Sequence, residues 1–542
     1  MHIDISKNGK YRRALLRESY REDGKVKKRT IVNLSQCPDE VIDALQFALK
    51  NADKLSTLCD MSKVELSHGK SVGAAYTAVE IAGRAGVIEA LGSSRQGKLA
   101  LWQIVSRLIE QGSRLSAVRL HQTHALAQAI GIDTGFSEDD LYKNLAWLAE
   151  NQDVIEDCLF KRRYQGQKID MFLYDVTSSY LEGCCNQLAA YGYNRDGKKG
   201  KMQIVIGLLC DQYGEPVSVQ VFSGNTSDVS TFSDQIKKTA DRFDCQRVTF
   251  VGDRGMIKSA QKQQLEQVDF SYITALTRKQ IETLEKTGVI DRSLFDDEIC
   301  EIEKGCLRYI LRRNSCRAYD IAQMRKGKQA KIEKLIEDKN QYLADHPKSS
   351  IDVALKHISQ RIEKLECKWL DAQAADREIT LLVDSDMLTE LGRLDGCYVI
   401  TTNLPKDAAT AQQVHSHYKD LAKVERAFRE SKTGHLELRP IYVRTEASTR
   451  GHVFVVMLAY ILRRYLEKAW DKIDVTMEEG LSCLATLSSV AVCEAGGIKI
   501  EQIPTPAGLC RELLEALNFT LPGKIVSNNV NVSTKVKTRK RR

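Results

Sequence analysis

Three acidic residues stand where a carboxylate needs a physical reason. Asp175 sits at the end of the apolar strand pattern Ile169–Val176, in FLYDVTS, and Asp253 at the end of another, in TFVGDRG. A carboxylate beside a buried run must be solvated, paired or bound to a cation, because burying it alone is costly. Either Asp by itself reads equally well as a turn former or a helix cap. Two of them on strands of one sheet point toward a metal site, since hard divalent cations prefer oxygen ligands and keep open water positions. A third member needs a separate element facing the same rim. The helical pattern His415–Lys432 offers one: Tyr418, Leu421, Glu425, Phe428 and Lys432 recur at helical spacing on a single face. Glu425 and Lys432 are two turns apart and poorly placed to pair along the helix, which favours an inward-facing, functional Glu425 over a solvated salt bridge. Acids that share a metal pair must also converge in space.

Weaker candidates surround these. His415 and His417 read as a surface pair, with no Cys or further His on the helix to complete a metal site. Gly192, Gly197 and Gly200, in YGYNRDGKKGK, lack the Walker spacing and read as a basic loop near a nucleic acid or a plain turn. Asp228 reads as an N-cap for a helix over Thr231–Phe243, or as a fourth acid near the site.

The elements that would carry these residues follow from periodicity. Strand patterns at Ile169–Val176, Met202–Leu209 and Val217–Phe222, with a turn at Asp211–Gly214, precede helix Thr231–Phe243, strand Arg247–Gly252, helix Lys258–Val268 and strand Phe270–Leu276. That order predicts an α/β fold with a mixed sheet and helices packed on it. A hairpin over Glu298–Arg313, turning at Lys304-Gly305, leads to two long helices over 317–345 and 351–370. Ile351, Ile358, Ile362, Leu365 and Trp369 form a heptad seam on the second. Strand patterns return at Ile379–Val383 and Tyr398–Thr402, and an apolar helix covers 451–468. Ahead of the sheet, residues 11–34 read as a hairpin turning at Asp23-Gly24, and residues 74–160 are helical, with a capping-box-like start at Ser137 and Asp140.

This set resembles the DDE transposases of bacterial insertion sequences. In one branch the third acid lies in a Tyr-x2-Arg-x3-Glu-x6-Lys signature; here the residues are Tyr418-x2-Leu421-x3-Glu425-x6-Lys432, with Leu421 in place of the Arg. The segments YDVTSSYLEG, Gly224–Asp228 (GNTSD) and Gly252–Met256 (GDRGM) are similar to that branch as well. The resemblance implies a ribonuclease-H-like mixed sheet (β-β-β-α-β-α-β-α) with an inserted strand and helical-hairpin region. It implies a transposase that cuts and joins DNA by metal-dependent phosphoryl transfer, with Asp175, Asp253 and Glu425 as catalytic acids and metal ligands. Two Mg²⁺ or Mn²⁺ ions would lie ~3.5–4 Å apart between them. Lys432 would contact a phosphate near the scissile bond. Tyr418 would stack on a base or bond the DNA backbone, and Arg254 would balance DNA charge or form a structural ion pair. The implied partners are double-stranded DNA, as terminal repeats and target, and a second copy of the chain in a homodimeric synaptic complex. The rival readings are a ribonuclease-H-like nuclease in DNA repair and a non-catalytic, transposase-derived DNA-binding protein.

Composition sets the frame. The chain has 542 residues, 43% hydrophobic and 28% charged, as in a soluble protein of several domains. No apolar run is long enough for a membrane span, and the N-terminus has no secretory pattern. Fifteen scattered cysteines without a Cys-x-x-Cys pair predict a reducing, cytoplasmic setting, nucleoid-associated when DNA is bound. The net charge of +8 is concentrated at the ends: residues 1–30 net +6 and residues 524–542 net +7, which leaves about −5 for the rest. The expected organisation is a basic β-hairpin region (1–60), a helical, DNA-binding domain (61–165), a catalytic domain in two parts (166–276 and 403–470) around an insertion (277–402), a helical C-terminal region (471–523) and a basic tail (524–542).

Overall fold

The computed structural model describes the chain except residues 9–10, 23, 51–64, 244, 246, 296–298, 435, 494–498 and 524–542. The basic tail therefore lies outside the described residues. The chain forms two compact units, Met1–Lys70 with Leu487–Thr505, and Ser71–Thr486 with Pro506–Leu521.

In the first unit, β1 (His2–Asn8), β2 (Tyr11–Glu22) and β3 (Lys25–Asn33) make an antiparallel sheet. The two-residue β2–β3 turn has Gly24 at φ +75°, the left-handed conformation such a turn requires. Helix α1 (Asp39–Lys50) covers one end of the sheet, closing Ile3, Ala14, Leu34 and Ile42 into a small core. A strand β4 (Glu65–Ser71) completes a second small sheet with two strands from the far end of the chain.

The second unit begins with helices α2 (Gly73–Arg84), α3 (Val87–Leu91), α4 (Arg95–Ile109), α5 (Arg114–Thr123), α6 (Leu126–Ile130), α7 (Glu138–Glu150) and α8 (Gln152–Tyr164). The capping box read at Ser137 is present, with Asp140 bonding back to the Ser137 N–H. The sheet follows in the expected order: β5 (Met171–Tyr180), β6 (Gln203–Asp211), β7 (Pro216–Ser223), α9 (Asp228–Arg242), β8 (Thr249–Gly252), α10 (Ser259–Gln267) and β9 (Ser271–Ala275). Strands β5, β8 and β9 are parallel; β6 pairs antiparallel with β5, and β7 antiparallel with β6. This is the mixed sheet with packed helices that the sequence predicts.

The insertion departs from expectation by joining that sheet. After α11 (Arg278–Lys286) come β10 (Cys300–Lys304) and β11 (Leu307–Arg313), then α12 (Ser315–Asp345), α13 (Ile351–Lys364), β12 (Leu370–Ala375), β13 (Glu378–Val383), α14 (Ser385–Arg393) and β14 (Cys397–Thr402). Strand β14 pairs with β9 and β11 with β14, so one eight-stranded sheet runs β10-β11-β14-β9-β8-β5-β6-β7. The second helix of the hairpin ends at Lys364, short of the expected 370. Trp369 packs from the following segment against Ile358 and Ile362, and β12–β13 caps the pair.

Helices α15 (Ala411–Lys419), α16 (Leu421–Thr433) and α17 (Glu446–Trp470) return to the body. Most of α17 is buried, against α4, α7, α16 and β7. Its Gly451 allows the close approach: an added Cβ would meet the Leu145 carbonyl oxygen at 2.0 Å. Then come α18 (Met477–Thr486) and α19 (Gly508–Ala516) in this unit, with β15 (Ser488–Cys493) and β16 (Lys499–Gln502) between them in the first. Among the described residues, no helix is long and apolar enough to cross a membrane.

Candidate active site

Alternation along β5 places the first acid. Phe172, Tyr174 and Val176 point into the core beneath α9, so Asp175 and Thr177 point to the opposite face, where α16 packs. Gly207 of β6 makes room for the neighbouring ring; a Cβ there would lie 2.2 Å from Tyr174 Oη. Asp175 is not at the end of its own strand, as the apolar run suggests. β5 continues to Tyr180 because β6 pairs with it to the end. What ends is the parallel partner: β8 stops at Gly252, opposite Tyr174, and the next residue is Asp253. The two acids thus meet at one level of the sheet. The backbone of Asp253 is held by Thr274 Oγ1, which donates to its carbonyl at 3.2 Å, and by the Met256 N–H, at the same distance.

Glu425 comes from α16. The single helix expected from His415 to Lys432 is in fact two, parted at Asp420. Tyr418, in the last turn of α15, donates through Oη to Asp253 Oδ1 at 3.3 Å. Burial and this carboxylate push the phenol up, so it remains a donor. Leu421, standing where the signature has Arg, is buried at the start of α16. Of the arginines that follow it, Arg426 is engaged by Glu430 and Glu467 at 2.6 and 3.1 Å.

Asp175, Asp253 and Glu425 line two adjoining chambers. The wider, about 520 Å³, also presents Arg254, Arg278, Arg317, Tyr418 and Leu421. The narrower, about 380 Å³, presents Thr177, Arg195, Asp196, Asp228, Arg429, Lys432 and Arg439. The half-buried Asp175 carboxyl is pushed up to about 7. Burial is the main cause; the negative charges of Asp253 and Glu425 add to it, and the Val176 N–H (2.7 Å) opposes it. Among the described residues no three His, Cys, Asp or Glu side chains form a ready-made metal-ligand set. The three acids share a cleft without closing into a shell.

The remaining predicted residues are placed as follows. Arg254 lines the wider chamber with no acid partner among the described residues. Lys432 is buried, its ammonium donating to Thr177 Oγ1 at 2.5 Å and Asp196 Oδ1 at 3.0 Å. Burial pulls its pKa down while Asp196 supports the charge. Asp228 is no cap: it is the first residue of α9, with Ser227 before it, and takes Arg195 on both oxygens at 2.7 and 2.6 Å. His415 is not a surface residue. It is buried against Tyr398, whose hydroxyl lies 2.6 Å from Nε2, and is held down to about 4 by burial and Arg312.

Sequence reasoning missed Arg195 and Asp196. They sit in the loop bracketed by Gly192 and Gly200, and the Asp196 side chain, 2% exposed, gathers Lys432, Arg439 and the Tyr180 N–H. The charged dipeptide inside NRD was the available signal.

Comparison with known proteins bears on the family. Residues 167–462 match the family model described as the transposase DDE domain, and residues 3–58 match the N-terminal domain of IS1634 family transposases. No curated protein matches the chain. Among solved structures, a piggyBac transposase synaptic complex with hairpin DNA is 10% identical, with a TM-score of 0.37 over 71% of this chain and 69% of that one. A Mos1 transposase paired-end complex with the left transposon end is also 10% identical, with a TM-score of 0.15 over 33% and 58%. Both scores are too low to argue from. The transposase DDE-domain match alone spans more than half the chain, and with the acids in their expected local sequences the protein belongs to the DDE transposases of insertion sequences.

Proposed function

We propose that this transposase cleaves DNA at insertion-sequence ends and joins them to target DNA by metal-dependent phosphoryl transfer, with Asp175, Asp253 and Glu425 as its catalytic acids. One observation carries the reading: three carboxylates from two strands and a distant helix line the same cleft. The donor chemistry fits hard divalent cations, since all three side chains offer oxygens and those of Glu425 and Asp253 are exposed. Two Mg²⁺ or Mn²⁺ ions held there would supply an activated water or 3′-hydroxyl and stabilise the leaving oxygen.

The chain's own residues do the rest. Asp175 provides a fixed oxygen on a rigid strand; its raised affinity for a proton comes first from burial and then from the charges of Asp253 and Glu425, and a bound cation would oppose both. Tyr418 orients Asp253 through its hydroxyl. Arg254 offers an unpaired guanidinium to the DNA backbone at the cleft mouth. Lys432, held by Asp196, sets positive charge in the floor beside the acids. Bringing two DNA ends together calls for two copies of the chain, hence a homodimer on DNA.

The test uses supercoiled DNA carrying the element's ends, with Mg²⁺. Wild-type protein should nick at the ends, and Glu425→Gln should bind the same DNA yet cut at least ~10³-fold more slowly. Equal cutting by both proteins would remove Glu425 from the reaction. Binding without cutting by both would favour a non-catalytic DNA-binding protein.

A further inference from the structure

The first unit carries a surface that the active site does not use. Past a register shift at Leu16/Arg17, β2 and β3 continue as a two-stranded ribbon from the pair Arg17–Thr30 to the pair Glu22–Lys25. Five residue steps give it a length of ~17 Å. Every residue of β3 is exposed. The core of this unit takes its side chains from before the ribbon and after it, with Leu16 and Leu34 as the nearest members, so the ribbon adds nothing to that core. Cross-strand pairs, worth ~0.2–1 kcal/mol each, are what hold such a ribbon together.

Alternation sorts its side chains onto two unlike faces. On one face Glu18 pairs with Arg29 and Glu22 with Lys27, both at 2.7 Å, around Tyr20. Of the three cations on that face, only Lys25, beside the turn, has no acid partner among the described residues. The other face carries Arg17, Ser19 and Arg21 opposite Thr30, Lys28 and Val26. Arg17 is held by Asp4 at 2.7 Å, whereas Arg21 and Lys28 have no acid partner among the described residues. Two unanswered cations thus stand beside Ser19, Thr30 and Val26 on an exposed strip. The edge strand β3 also carries Lys25, Lys27, Lys28 and Arg29 along its length, and such charge discourages the addition of a further strand from another protein.

We infer that the Arg21/Lys28 face of this ribbon is a docking surface for double-stranded DNA, separate from the carboxylate cleft. A two-stranded ribbon fits the width of the major groove, and unpaired Lys and Arg are the groups that neutralise the flanking phosphates. This rests on the reading of the chain as a DNA-processing enzyme and adds where the protein grips DNA away from the reacting bond.

The test is a salt titration of duplex binding by the full-length protein, followed by fluorescence anisotropy on an element-end duplex and on a scrambled duplex. Replacing both cations, Arg21→Ala with Lys28→Ala, should weaken binding to both duplexes at least ~10-fold and reduce the slope of log affinity against log salt by about two. Replacing the opposite-face pair, Glu22→Gln with Lys27→Gln, should leave affinity and slope unchanged. Should the alanine variant unfold, Arg21→Gln with Lys28→Gln keeps the polar length and should show the same loss of slope. An unaltered slope in the Arg21/Lys28 variant, equal weakening by the opposite-face variant, or stronger competition by duplex RNA than by DNA would overturn the proposal while leaving the transposase reading intact. Failure of the wild type to bind either duplex would overturn both.

Discussion

The three acids look out on two chambers that handle positive charge in opposite ways. In the narrower one, three of the four lining cations are answered by the protein itself, Arg195 by Asp228 and Lys432 and Arg439 by the buried Asp196, and Arg429 alone has no acid partner among the described residues. In the wider one, Arg254 and Arg317 line the wall with no acid partner among the described residues, and Arg278 has only Glu282 on its own helix, at 3.0 Å. Paired, desolvated charges make a stiff frame, because taking either partner away strands the other in a low-dielectric site. Unpaired surface charges cost little and keep their attraction for an incoming polyanion. The contrast assigns the narrow side to holding the acids in place and the wide side to receiving DNA phosphates.

Breaking the frame should have the largest effect. Asp196→Ala leaves Lys432 and Arg439 without their counter-charge and should destabilise the protein by roughly 3–5 kcal/mol, read as a fall in the midpoint of urea unfolding. Asp175 comes next, and its sign is reversed. Its carboxyl is raised to about 7 in the fold against 3.8 when unperturbed. Below the unperturbed value both states are protonated and nothing is lost. As pH rises toward 7 the unfolded chain ionises first, so the native state loses up to about 4 kcal/mol at 1.36 kcal/mol per unit. Asp175→Asn should therefore raise the metal-free unfolding temperature at pH 8, leave it nearly unchanged at pH 3.5, and abolish any stabilisation by Mg²⁺. The smallest effect belongs to the open side. Arg254→Ala and Arg317→Ala should each change stability by no more than about 0.5 kcal/mol and reduce the salt dependence of DNA binding by about one unit of slope.

The same contrast explains what was legible in the sequence. The acid that follows β8 could be read because an apolar strand ending in Asp is a local pattern, and the turns at Asp211–Gly214 and Gly305 announce themselves in the same way. Asp211 Oδ1 caps the first with bonds to the N–H groups of Tyr213 and Glu215. The break at Asp420 could not be read, because its backbone stays close to helical (φ −62°, ψ −15°) and the apolar spacing passes through it almost undisturbed. The frame built on Asp196 was hidden for another reason. Its partner Lys432 lies 236 residues away, and an aperiodic loop carries no sign of what it will meet. The extension of the sheet by β14 and β11 was hidden likewise, because strand partners are chosen in three dimensions. The sequence also places Lys432 on the face shared with Glu425, but does not show that its charge is already taken.

The most direct test of the central claim, that Asp175, Asp253 and Glu425 act as one unit on DNA, is single-turnover cleavage of an element-end duplex in Mg²⁺ by each single amide variant and by the triple variant. Residues that work as a unit are non-additive: each single change should cost nearly as much as all three, on the order of 10³-fold or more. Losses that multiply from one variant to the next, or a single variant that cuts at the wild-type rate, would contradict a shared site.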